Sequence, residues 1–89
     1  MYVNIVHSRI DMSRLAEAVA AIPAIKARLA SRPGFRGAYW FEPVAGLGMS
    51  LNLWEEEAQA RAAAFEVGES PAPGVTVERV ETRAVLAQG

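Results

Sequence analysis

Apolar side chains occupy both sides of the opening segment. Val3, Ile5 and His7 fall on one face of an extended run, and Tyr2, Asn4 and Val6 on the other. β-Branched and aromatic types dominate residues 2–8, which predicts a strand. The period then lengthens. Leu15, Val19, Ile22, Ile25 and Leu29 recur at helical spacing with Glu17, Lys26 and Arg28 elsewhere on the helix, and Asp11 or Ser13 stands where an N-cap belongs. Pro23 lies inside that pattern; lacking an amide donor and crowding the preceding turn, it predicts a kink or a helix in two pieces. Ser31-Arg32-Pro33-Gly34 ends the helix, because Pro33 cannot continue it and Gly34 tolerates a left-handed turn.

Residues 35–43 predict a second strand in which Phe35, Gly37, Tyr39 and Phe41 alternate with Arg36, Ala38, Trp40 and Glu42. Pro43 to Gly48 supplies a turn into a third strand at residues 48–54. Glu55, Glu56 and Glu57 open an Ala-rich helix expected to end near Phe65; carboxylates there complement the positive end of the helix dipole, a simpler account than a metal or catalytic cluster. Glu66 to Gly74, broken by Gly68, Pro71, Pro73 and Gly74, has the punctuation of a loop. A last strand, residues 75–86, carries Val75, Val77, Val80, Val85 and Leu86, and its change of phase between Val77 and Val80 predicts a β-bulge.

The order β-α-β-β-α-β is that of a ferredoxin-like α+β domain, a four-stranded antiparallel sheet with both helices on one face. Its other face would then be bare, yet both faces of the strands are apolar. A second copy covering it, sheet against sheet, gives a homodimer in the form of a dimeric α+β barrel.

Composition narrows the function classes. Eighty-nine residues make a single domain, residues 1–89. A formal charge of -1 offers no basic footprint for phosphate, which argues against nucleic acid as a partner. The aromatic run Arg36 to Phe41 looks like an RNA-recognition strand, but that motif belongs on the third strand of such folds and here lies on the second. Absence of cysteine removes disulfides, a thiol nucleophile and thiolate metal sites. The chain enters a strand at once, without the basic and apolar regions of a signal peptide, and no stretch reaches membrane-spanning length; a cytoplasmic protein with no membrane partner is expected.

Pro33-Gly34-Phe35-x-Gly37, the aromatic strand after it, and Leu51-Asn52-Leu53-Trp54-Glu55 before an Ala-rich helix together resemble the antibiotic biosynthesis monooxygenase family of dimeric α+β barrels, over nearly the whole chain. The resemblance implies a ligand pocket between sheet and helices. It also implies one of two chemistries: oxygenation of quinol-like aromatics with no metal or flavin cofactor, or haem degradation. Trp54 matches the tryptophan that lines the pocket of the haem-degrading branch, and His7 falls near that branch's asparagine. The branch's iron-ligating histidine after the second helix has no counterpart in residues 66–74, so haem degradation is not expected.

An oxygenase without cofactor needs a base, a group that holds the resulting anion, and an apolar enclosure. His7 is the one side chain whose ordinary pKa suits the base, and Asn52 the candidate for holding the oxyanion. Tyr39, Trp40, Phe41 and Trp54 are candidates to stack on an aromatic ligand, and Arg9 and Arg36 to pair with an anionic one. Plainer readings stand beside these: a strand-end histidine, an asparagine satisfying backbone, core aromatics and surface arginines. Two functions therefore compete, a cofactor-independent monooxygenase of a small aromatic and a non-catalytic dimeric barrel that binds a small ligand or a protein partner. A water-poor pocket containing His7 beside Trp54 would favour the first, and its absence the second.

Overall fold

Strand β1, Tyr2–Ile10, holds the centre of the computed structural model, which describes residues 1–89. It pairs antiparallel with β3, Leu47–Trp54, on one side and β4, Val75–Ala84, on the other; β2, Phe35–Trp40, completes the sheet beyond β3 in the order β2-β3-β1-β4. A single 3-10 turn, Met12–Arg14, leads into α1, Leu15–Ala20, and α2, Ile22–Ala30, while α3, Glu57–Ala63, follows β3. This is the ferredoxin-like α+β arrangement expected from the element order.

Local chemistry explains each element. Asp11 accepts hydrogen bonds from Ser13 N at 3.0 Å and Ser13 Oγ at 2.7 Å and so caps the first turn. The first helix is in two pieces as Pro23 predicts: it breaks at Ala21, and Pro23 sits in the opening turn of α2, where a missing amide costs nothing. Of the three glutamates, Glu56 is the N-cap of α3 in a capping box, its amide donating to Gln59 Oε1 at 3.1 Å, and Glu55 and Glu57 turn outward to Arg36 and Arg61. Helix-start chemistry accounts for the whole run.

Several boundaries move. The second strand stops at Trp40, not residue 43, because Val44 and Leu47 exchange backbone hydrogen bonds across a tight turn whose centre, Ala45 and Gly46, has φ of 53° and 77°. The even alternation of β2 also fails. Phe35 pairs with Trp54 and Gly37 with Leu53, so Arg36 bulges out and Phe35 joins Ala38 and Trp40 on the helix side, its ring packed edge-on against Trp54 with centroids 5.5 Å apart. In β4 the expected bulge is present, since His7 pairs with Arg79 but Ser8 with Val77, leaving Glu78 over. α3 ends at Ala63, short of Phe65, as Ala64 turns extended.

The main core lies between sheet and helices: Val6, Leu29, Trp54, Ala60, Ala63, Phe65 and Val77 are buried together. Ala60 and Ala63 are small enough to bring α3 close over β1. On the opposite face Val3, Ile5, Leu51 and Leu53 are half-buried, and Tyr39, Leu47 and Met49 are exposed. That face is apolar over β2, β3 and β1 and charged only toward β4.

Gly34 has φ of 84°, and its carbonyl accepts from Glu55 N at 2.9 Å, which docks the end of α2 on the start of α3. A Cβ there would overlap the Gln59 side chain that closes the capping box. Gly34→Ala is therefore expected to cost about 2 kcal/mol, combining left-handed strain with loss of a cap, and to lower the melting temperature by roughly 8–16 °C in a thermal scan.

Candidate functional site

Small and polar residues on the helix side of the central strands leave a gap. β1 presents Ser8 and β3 presents Gly48, Ser50 and Asn52 toward the helices, where larger apolar side chains would have filled the space. Leu15, Val19, Ile22, Ile25 and Leu29 face them across a cavity of about 110 Å³, with Pro71 and Ala72 of the loop after α3 closing another side. No charged side chain and no histidine lines it. The size approaches the roughly 150 Å³ of apolar cavities that admit one benzene ring.

Beneath the cavity runs a buried hydrogen-bond network. Asn52 Oδ1 accepts from Trp54 Nε1 at 2.6 Å and from Asn4 Nδ2 at 3.1 Å. Asn4 Nδ2 also donates to the Ala60 carbonyl at 2.8 Å, and Thr82 Oγ1 donates to Asn4 Oδ1 at 2.7 Å. Asn4, Asn52 and Trp54 are almost wholly buried. The Ala60 carbonyl is free to accept because it lies in the last turn of α3, where no following amide reaches it. Asn52 Nδ2 is left without a protein partner, yet no fully buried polar side-chain atom is unsatisfied, so this amide opens onto the cavity that Asn52 lines.

The structure brings some of the anticipated residues together and separates others. Asn52, Trp40 and Phe41 line the cavity, Phe41 on its open side and 44 % exposed. Trp54 does not line it; it lies behind the wall, hydrogen-bonded to Asn52 and in one buried cluster with Val6, Leu29 and Phe65, which do. Tyr39 is on the opposite face, 58 % exposed, and does not belong to this site. The placement of His7 beside Trp54 is corrected as well. His7 projects from the opposite face of β1, its Nε2 3.1 Å from Glu81 Oε2 and 3.1 Å from the Arg79 guanidinium. With its proton on Nε2 the ring donates to Glu81; with the proton on Nδ1 it accepts from Arg79. Either way it is out of reach of the cavity. Arg9 and Arg36 pair with Glu78 and Glu55. Asn4, Thr82, Ser8 and Ser50 went unnoticed in the sequence, although a polar residue sharing a strand face with Val6 was a signal for the first of them.

An iron porphyrin does not fit these residues. The lining includes no histidine, cysteine or tyrosine, and the single imidazole is held on the far side of the sheet.

No family model matches the chain, and no curated protein sequence matches it. Solved structures do. A mutant of MhuD with two manganese protoporphyrin IX bound per active site superposes with a TM-score of 0.73 at 17 % identity, covering 100 % of this chain and 98 % of that one. A candidate monooxygenase from Shewanella loihica PV-4 gives a TM-score of 0.68 at 16 % identity, covering 98 % and 96 %. Likeness over full length at such identities establishes a shared backbone. The chain shares the ferredoxin-like α+β fold of these two structures.

Glu81 gathers the charge on the opposite face. The hydrogen bond from His7, and then the nearby Arg79 and Arg83, hold its carboxyl below the ordinary 4.5. A depressed carboxylate stabilises the fold above its unfolded pKa and loses that contribution as pH falls through the folded value. The stability difference between wild type and Glu81→Gln, followed by urea titration, is expected to be present above pH 4.5 and to close below it.

Proposed function

We propose that this chain is a monooxygenase of the antibiotic biosynthesis type, a homodimeric barrel that oxidises a small oxygen-bearing aromatic with dioxygen and no cofactor. The observation that carries the reading is the cavity: an apolar enclosure of single-ring size into which one uncommitted amide donor, Asn52 Nδ2, opens. Fold likeness to a candidate monooxygenase supports the same class.

Such a reaction exchanges, in net terms, two hydrogens of the substrate for one oxygen atom of dioxygen, and the second oxygen leaves with those hydrogens as water; the substrate supplies all the electrons. It begins from the substrate anion. No cavity side chain titrates near neutrality, so the proton goes to water before enclosure and the charge is spread over the ring when the molecule binds. Asn52 Nδ2 then donates to the oxygen on which negative charge collects, in surroundings where a fixed donor acts more strongly than in water. Trp40 offers a ring for stacking.

Oxygen uptake with a panel of single-ring hydroquinones and catechols tests this. Loss of an oxyanion donor typically lowers the rate by about 10²–10³-fold. Asn52→Leu is expected to lose activity on that scale, while His7→Ala keeps it. The rate should climb with pH along the substrate's own ionisation instead of levelling near 6.5, the ordinary imidazole value. The lack of a titratable group in the cavity, with His7 and Trp54 both outside its lining, favours one other reading, a barrel that binds such molecules without turning them over. Quenching of Trp40 fluorescence with no oxygen uptake above buffer would establish it.

The second copy rests on the opposite sheet face, where an apolar surface over three strands cannot stay in water. Leu53, paired with Val3 and Gly37, is at its middle. Light scattering is expected to give twice the chain mass for wild type and the single-chain mass for Leu53→Glu.

A further inference from the structure

We propose that Trp54 and Asn4 are positioning residues that set the polarity of the cavity: they hold the Asn52 amide so that its N–H₂ end, and not its carbonyl, meets the ligand. The cavity then selects molecules that present an acceptor oxygen. This rests on the ligand-binding reading of the cavity and adds to it which end of a polar ligand is recognised.

The two ends of an asparagine amide have the same shape, so only their partners distinguish them. Two groups in this network have fixed polarity. An indole N–H can only donate, and a backbone carbonyl can only accept. Trp54 Nε1, 2.6 Å from Asn52, therefore requires an oxygen there. The Ala60 carbonyl, 2.8 Å from Asn4, requires a nitrogen there, and the second proton of that nitrogen points at Asn52, 3.1 Å away. Asn52 Oδ1 thus receives two donors. Flipping Asn52 would set its N–H₂ against both of them. Asn4 cannot turn to accommodate such a flip, because its own oxygen would then face the Ala60 carbonyl. Thr82, whose hydroxyl rotates freely, follows the order already set and donates to Asn4 Oδ1. Ser8 and Ser50 also line the cavity, but hydroxyls donate or accept as required and impose no direction.

Acetophenone and α-methylstyrene test the inference, since they share a shape and differ in one carbonyl oxygen. Binding is read by quenching of Trp40, which lines the cavity. One net hydrogen bond corresponds to roughly three- to tenfold in affinity, so wild type is expected to prefer acetophenone by about that ratio. Asn4→Leu and Trp54→Phe should bring the ratio toward one while leaving α-methylstyrene affinity in place; a purely structural role would weaken both ligands together. Wild type alone provides a second readout if either variant folds poorly. On adding acetophenone, the Asn52 side-chain amide protons should shift in a nitrogen-correlated spectrum and those of Asn4, committed to Ala60 and Asn52, should not. Equal affinities in wild type, an unmoved Asn52 amide, or a full preference surviving in both folded variants would overturn the polarity assignment alone. Failure of both molecules to bind would overturn it together with the ligand-binding reading.

Discussion

The hydrogen bond from the Trp54 indole to Asn52 Oδ1 ties this structure together. At 2.6 Å and out of contact with water, it is the start of a chain that passes through Asn4 to α3 at Ala60 and to β4 at Thr82. Breaking such a chain on one side strands a buried polar group, at a cost of about 1–3 kcal/mol. Three strands and a helix thereby share one constraint. The indole ring adds apolar contact, packing edge-on with Phe35, so Trp54 serves the core and the site at once.

That arrangement explains why a chain this short contains a cavity. Small domains bury a limited share of their surface, and space left unfilled lowers stability. Here the gap follows from Ser8, Gly48, Ser50 and Asn52 occupying the helix side of the central strands. Larger apolar residues would pack better there. The polar floor and apolar roof instead make an enclosure, and the fold accepts a looser core around it.

Charge is kept away from this enclosure. Arg9, Arg28, Arg36 and Arg61 each pair with a glutamate at the surface, and Glu81 collects His7, Arg79 and Arg83 on the opposite sheet face. A cavity with no resident charge leaves a fixed dipole as its electrostatic device. The two sheet faces therefore divide the work: one holds the cavity and its amide, the other an apolar surface edged by ionic pairs.

Much of this was legible along the chain. Helical spacing from Leu15 to Leu29, the break at Pro23 and the acid-rich start of α3 arise from forces between residues close in sequence, and the sequence determined them; the β4 bulge left its mark in the sequence as a change of phase, although it is realised against β1. Period-two alternation also set Asn4 and His7 apart, one even and one odd on β1. Which parity of β3 shares a face with which parity of β1 is another matter, because a slip of one residue exchanges the faces of an entire strand. Only the pairing of Asn4 with Asn52 settled that Asn52 and Trp54 face the helices and that His7 does not. The bulge at Arg36 likewise moved Phe35 onto Trp54 against the pattern of its own strand. The elements were local decisions; the site depends on register between segments about fifty residues apart, which tertiary packing alone decides.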